Sequence, residues 1–380
     1  MSGFLAILGG YYPIPDTTQL HRRGPVKNVT MITEYGLYSF FRVNNEEQPI
    51  KSGRKVIMAT SNIYNSRELE IQYELKCKTK SDCEVILRLY EKFGFVEAVK
   101  KLQGNFAIVL ADGEDVYIAR DSVGTRPLYL GVGKGGIMYL CSLAQTLDSC
   151  CEGIIPITPG LSGVCRKTGL VILARAVTPM VPAIIPYPGE VATCILSNDR
   201  NSIMLASILV KQVKKLYTYS IGIHESVLAH CRKVAQFLGA EHAELSYTQK
   251  EGDAVVPKVI EVIGSYDPET VRDSVEVYLL AQYIAKTCTG DRTVFCGKGF
   301  SDFRNPKDAH LYEILGVERC ISYNGLEPRF PLLDRPLTYD IPPELLPIEK
   351  ISYTLPAKTD CKQIYTELFT KDSKIIPRLP

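Results

Sequence analysis

The chain has 380 residues, 46% apolar and 23% charged, with 44 Lys and Arg against 42 Asp and Glu. This is a globular composition, and at about 150 residues per domain the length suits two or three domains, each with its own core. A net charge of +2 without a long basic run leaves no footprint for a nucleic-acid duplex. The longest apolar stretches, such as 191–196, fall well short of the about 20 residues of a membrane span, and the start MSGFLAILGG lacks the basic region and cleavage site of a secretory signal. The expectation is a cytoplasmic protein with no nucleic-acid or membrane partner.

Residues 3–150 read as a β-rich unit closed by one helix. Short apolar runs at 5–8, 31–32, 55–58, 106–110, 116–119 and 138–141 are separated by Gly, Pro, Asn and Asp. From Asp82 onward, Val85, Ile86, Leu89, Tyr90, Phe93 and Val96 recur at helical spacing, which predicts a helix capped by Ser81 or Asp82. Between 153 and 190 the prolines Pro156, Pro159, Pro179, Pro182, Pro186 and Pro188 predict a stiff connector without long helices or central strands, and a domain boundary near 178–190. From Val191 the pattern alternates: VATCIL, a helix over about 201–215, TYSIGI, a helix over 225–238, AELSY, helices between 253 and 285, then TVFCG. Strands alternating with helices predict right-handed βαβ units and a doubly wound parallel sheet covered on both faces. A last helix is expected near 361–369. The twelve cysteines stand singly except Cys150 and Cys151, with no CxxC pair and no histidine couple, so they spell out neither a zinc site nor a disulfide framework and are expected as buried thiols.

The strings SDCEVILRLYEKFG, LQGNFAIVLAD and VYIARDSVGTRPLYLG, within 81–131, resemble the glutaminase half of glutamine-hydrolysing asparagine synthetases. YSIGI and LGAEHAELSY within 219–247, and NGLEPRFPLLD over 324–334, resemble the synthetase half, in the same order. The resemblance implies a class II glutamine-amidotransferase-like domain over 1–177, folded as the αββα sandwich of N-terminal nucleophile hydrolases. It implies the connector at 178–190, then an ATP-pyrophosphatase-fold domain over 191–380, shortened at its C-terminus before the family's catalytic lysine. ATP and magnesium are the family's cofactors; none is expected for this chain.

Set against the family's motifs, the chemistry-bearing positions are altered. The family's nucleophilic cysteine, directly after the initiator methionine, is Ser2; a hydroxyl is a weaker nucleophile than a thiolate, though a free α-amino group can serve it as base. The oxyanion string Tyr-Asn-Gly-Glu-Ile-Tyr-Asn reads Ala59-Thr60-Ser61-Asn62-Ile63-Tyr64-Asn65, so that Thr60, Ser61 and Asn62 replace the amide donor, the glycine and the acid. Losing one such donor costs about 100- to 1000-fold in rate. His-Arg-Gly-Pro-Asp reads His21-Arg22-Arg23-Gly24-Pro25-Val26, which leaves Arg42 as the candidate clamp for a glutamine carboxylate. Asp82 matches the acid beside the glutamine ammonium, and equally suits a helix N-cap.

The phosphate loop Ser-Gly-Gly-Leu-Asp-Ser becomes Ser197-Asn198-Asp199-Arg200-Asn201-Ser202, without the glycines that let backbone amides approach a pyrophosphate, and with the Asp199 carboxylate where a phosphate would sit. The family's Ser-Gly-Glu-Gly-Ser-Asp-Glu reads Cys296-Gly297-Lys298-Gly299-Phe300-Ser301-Asp302, so that Lys298 and Ser301 replace acids on the magnesium side. Lys298 reads as a solvated loop lysine, or else as a counterion for an anion. Packing positions persist while chemical ones change, and that predicts a catalytically inactive asparagine-synthetase-like protein kept for structural or regulatory contacts with proteins, with homodimerisation through the first half as the first expectation. The alternatives are a residual enzyme of the family, or a serine amidohydrolase using Ser2. Arg200, Lys298 and Phe300 are expected to fill the cleft between the domains. The halves are expected to stay docked through the stiff connector and the apolar Phe330, Leu332 and Leu333, against the alternative that this segment packs only within the second half.

Overall fold

The computed structural model describes residues 4–8, 26–33, 36–43, 48–166, 169–175, 189–288, 292–298, 309–333, 347, 354–357 and 359–369. The described residues divide into two units, one up to Arg175 and one from Gly189 to Phe369.

In the first unit the strands are β1 (Phe4–Leu8), β2 (Val26–Thr33), β3 (Gly36–Val43), β4 (Ile50–Ser52), β5 (Lys55–Ile63), β6 (Gly104–Asp112), β7 (Asp115–Arg120), β8 (Tyr129–Gly133), β9 (Met138–Cys141), β10 (Cys151–Pro156), β11 (Leu161–Arg166) and β12 (Gly169–Arg175). Its helices are α1 (Ser66–Gln72), α2 (Asp82–Phe93), α3 (Phe95–Lys101) and α4 (Ala144–Leu147). The strands form two antiparallel six-stranded sheets, ordered β10-β8-β9-β1-β3-β2 and β12-β11-β7-β6-β5-β4. Period-two alternation explains the layers. Along β5, Val56 and Met58 join a core with Phe4 and Ala6 of β1, between the sheets. The intervening Ile57 and Ala59 join Ile86 and Leu89 of α2 on the outer face. On the outside of the other sheet, Leu147 of α4 packs on Leu5, Tyr139 and Cys141. The result is the αββα sandwich, with one short helix on that last face among the described residues.

The proline-rich stretch departs from its expectation. Pro156 and Pro159 sit at the end of β10 and in the turn that follows, so 161–175 is free of proline and β11 pairs on both sides, with β7 and β12. Proline excludes a strand only where a ladder amide is needed.

The second unit holds β13 (Val191–Ile195), β14 (Lys215–Gly222), β15 (Glu241–Ser246), β16 (Thr293–Phe295) and β17 (Glu327–Arg329), all parallel, in the order β15-β14-β13-β16-β17. Its helices are α5 (Arg200–Leu209), α6 (Glu225–Leu238), α7 (Gln249–Ile263), α8 (Pro268–Thr287), α9 (Glu313–Tyr323) and α10 (Cys361–Phe369). Ala192 and Cys194 of β13 pack with Leu205 of α5 and Val234 of α6 on one face. Tyr283 of α8 stands edge-on to Tyr219 of β14, 6.2 Å between ring centres, on the other. The sheet is doubly wound, and the direction of strand order reverses between β13 and β16. Helix α5 ends at Leu209, six residues short of the expected limit, because Lys215 is taken into β14 opposite Val191. Leu332 lies in the second unit's own core, and Phe330 and Leu333 are buried.

Candidate functional site

The oxyanion-string residues lie along β5 and divide between its two faces. Thr60 and Asn62 follow Val56 and Met58 toward the space between the sheets, while Ser61 follows Ile57 and Ala59 toward α2. Helix α2 begins where Ser81 Oγ accepts from the Cys83 amide at 3.3 Å. Ser81 is therefore the cap, and Asp82, offered as a cap by its position, is the first helical residue. The Asp82 carboxylate instead accepts from Ser61 Oγ at 3.0 Å and from the Ile63 amide at 2.8 Å. These bonds tie the carboxylate to the strand. In the same turn buried Glu84 accepts from the Lys78 and Thr79 amides and from Arg88. Burial disfavours its charge, but those hydrogen bonds outweigh burial and hold its carboxyl below the ordinary range.

Thr60 is fully buried, and among the described residues its hydroxyl has no hydrogen-bond partner. Nearby, Asn62 faces Asn105 of β6 in register, and Asn105 accepts from Tyr64 Oη at 2.5 Å and donates to Thr125 at 3.2 Å. Sequence attaches no site role to Asn105, since a lone Asn inside an apolar strand carries no motif. Thr125 belongs to RDSVGTRPLY, which forms a closed polar knot. Arg120, 3% exposed, donates to the carbonyls of Gly124, Arg126 and Ile157. Asp121 accepts the amides of Phe106, Val123, Thr125 and Arg126. Arg42 lies in β3 opposite Phe4, but its side chain, like all of Ser2, is outside the described residues.

In the second unit the two altered strings meet at the sheet's switch point, where ligands bind in open α/β folds. Ser197 to Ser202 follow β13, and Cys296 to Lys298 follow β16. Asp199 caps α5: its carboxylate accepts from the Ser202 amide at 2.8 Å and from the Ser197 hydroxyl. Ser202 Oγ donates back to the Ser197 carbonyl at 2.7 Å and accepts the Ser197 amide at 3.1 Å. Asn198 and Ser202 are buried. A Cβ on Gly297 would stand 2.5 Å from Ser202 Cα, so only glycine lets the second string pass this close. A pyrophosphate does not fit this loop, because a carboxylate already holds the amide and would repel the anion. Lys298, half-buried, and Asn201 bring no carboxylate for magnesium. Arg200 is exposed on the first turn of α5. Phe300, Ser301 and Asp302 lie outside the described residues.

Residues 38–149 match the glutamine amidotransferase domain model, and residues 194–299 match the asparagine synthase model. The glutamine-hydrolysing asparagine synthetases of Mesocricetus auratus and Homo sapiens are each 28% identical over 83% of this chain and 68% of their own. The chain belongs to this family. A second asparagine synthetase, from Oryza sativa subsp. japonica, is 30% identical over 78% of the chain and 60% of its own length. Among solved structures, the glutamine phosphoribosylpyrophosphate amidotransferase of B. subtilis overlays 64% of this chain and 90% of its own at 12% identity, with a TM-score of 0.42. The family match places Thr60, Ser61 and Asn62, and 197–202, within the two matched domains.

Proposed function

We propose that this asparagine synthetase family member has left ATP-driven asparagine synthesis, takes no ATP or magnesium, and serves through contacts with proteins, a second copy of itself first among them. The observation that carries this reading is the Asp199 carboxylate bonded to the Ser202 amide at the head of α5. A phosphate loop needs those amides free, and two glycines to expose them. The pinning of Asp82 by Ser61 and Ile63 supports the same reading in the first unit, since a carboxylate already satisfied there has less to offer a substrate ammonium. Thermal denaturation with Mg-ATP tests it. A ligand at 100 times its dissociation constant stabilises a fold by about 2.7 kcal/mol, so a magnesium-dependent rise in melting temperature overturns the proposal and a flat response supports it. Sedimentation analysis over a range of concentrations reads the dimer.

A serine amidohydrolase using Ser2 is the second reading, favoured by the Thr60 hydroxyl, buried and without a partner among the described residues, on the strand that carries the family's oxyanion donors. Intact mass after exposure to an electrophilic amide probe separates the two. An adduct on Ser2 establishes the hydrolase; no adduct, or a retained Met1, removes it.

A further inference from the structure

Cys150 and Cys151 stand at the junction where α4 gives way to β10. Their sulfurs are 3.6 Å apart. Cys150 is partly exposed and Cys151 is buried, so the first residue is the nearer of the two to solvent. Cys151 is held in place. It packs among Leu147, Tyr139 and Cys141, and a Cβ on Gly131 of the neighbouring strand β8 would come within 2.4 Å of its sulfur. Beside the pair, the β10–β8 ladder changes register between Cys151 and Gly153, so the local backbone is not locked into regular pairing.

We propose that Cys150 and Cys151 form a peroxide-reactive vicinal dithiol that closes to a disulfide at the α4–β10 junction. The roles of the two sulfurs follow from their surroundings. Donation from the Cys151 thiol holds the Cys150 thiol below the ordinary cysteine range against the opposing effect of burial. The same bond, together with burial, pushes Cys151 far above that range. Cys150 is therefore the sulfur that meets the oxidant: it is the partly exposed one of the two, and the thiolate is the reactive form. It attacks one oxygen of a hydroperoxide. A sulfur–oxygen bond forms, the oxygen–oxygen bond breaks, and hydroxide leaves to take up a proton as water. The sulfenic acid on Cys150 is then attacked by the Cys151 sulfur. The sulfur–sulfur bond forms, the sulfur–oxygen bond breaks, and the hydroxyl departs as water with the Cys151 proton. Two thiols and one hydrogen peroxide thus give one disulfide and two waters.

Adjacent residues hold their Cα atoms about 3.8 Å apart, below the usual disulfide span of about 4.4 to 6.8 Å, so the ring is strained and readily reduced. The device is reversible.

Trypsin digestion under non-reducing conditions, followed by mass spectrometry, tests this on the full chain. Cleavage after Lys134 and Arg166 releases one peptide that carries Cys141, Cys150, Cys151 and Cys165. After one equivalent of hydrogen peroxide, that peptide should lose two hydrogens, fragmentation should place the bond between Cys150 and Cys151, and dithiothreitol should reverse it. The Cys151→Ser variant should stop at a sulfenic acid on Cys150 that dimedone traps, and Cys150→Ser should lose the reaction altogether. A bond to Cys141 or between chains, a dimedone adduct that persists in the unsubstituted protein, or no change while glutathione in the same tube is oxidised, each overturns the proposal.

Discussion

Asp121 is 2% exposed and accepts four backbone amides, while the neighbouring Arg120 donates to three carbonyls. Removing the carboxylate leaves several buried donors without partners, each at about 1 to 3 kcal/mol. Asp121→Ala is therefore expected to destabilise the fold by about 3 kcal/mol or more, read as a lowered midpoint in urea; a loss under about 1 kcal/mol contradicts the knot. Glu84 makes a pH-dependent contribution. Its folded carboxyl lies below the ordinary range, so the stability it supplies is complete above the unfolded value of about 4.3 and is lost as pH falls through the folded one. Glu84→Gln should lower stability at neutral pH and flatten the acid side of the melting profile, and an unchanged acid slope counts against this assignment. Sequence could name Asp82 and Ser61 as members of altered motifs, but not that each is the other's partner. That bond depends on α2 packing across β5, which brings together residues 21 positions apart.

At the scale of elements, the helices with strong end signals are legible. Glu225 to Leu238 and Cys361 to Phe369 fall at the expected bounds, and Ser81 caps α2 as its type suggests. The end of α5 is not legible, because the residues between Leu209 and Lys215 suit a helix as well as a turn. Pairing of Lys215 with Val191 decides it, and Lys214 and Lys215 both donate to the Glu190 carbonyl as the chain turns back. The head of the same helix yields a test. Gly297→Ala drives a Cβ into the Ser202 backbone, which cannot move without releasing Asp199. The substitution should cost about 1 to 3 kcal/mol, read by chemical denaturation, and a neutral effect speaks against the close approach of the two strings.

At the scale of the molecule, each unit buries a core of its own: Phe4, Val56 and Leu130 in the first, Ala192, Leu205 and Val234 in the second. Between Arg175, the last residue described in the first unit, and Gly189, the first described in the second, the chain is rich in proline. Limited proteolysis between 178 and 190 should therefore give two fragments that each keep their far-ultraviolet circular dichroism and resist further digestion. Rapid degradation of either fragment contradicts independent cores.

The sequence by itself determined the family, the two-part organisation and most strands and helices, because these rest on local periodicity, on caps and turns, and on strings of residues read in order. The tertiary structure alone decided which altered residues meet. The parallel sheet's reversal between β13 and β16 sets Gly297 against Ser202, and alternation along β5 sends Thr60 inward to a buried site without a partner among the described residues while turning Ser61 outward to Asp82. Such contacts join residues distant in sequence. Their geometry is set by sheet order and by which face of a strand is buried, and no single segment carries that information.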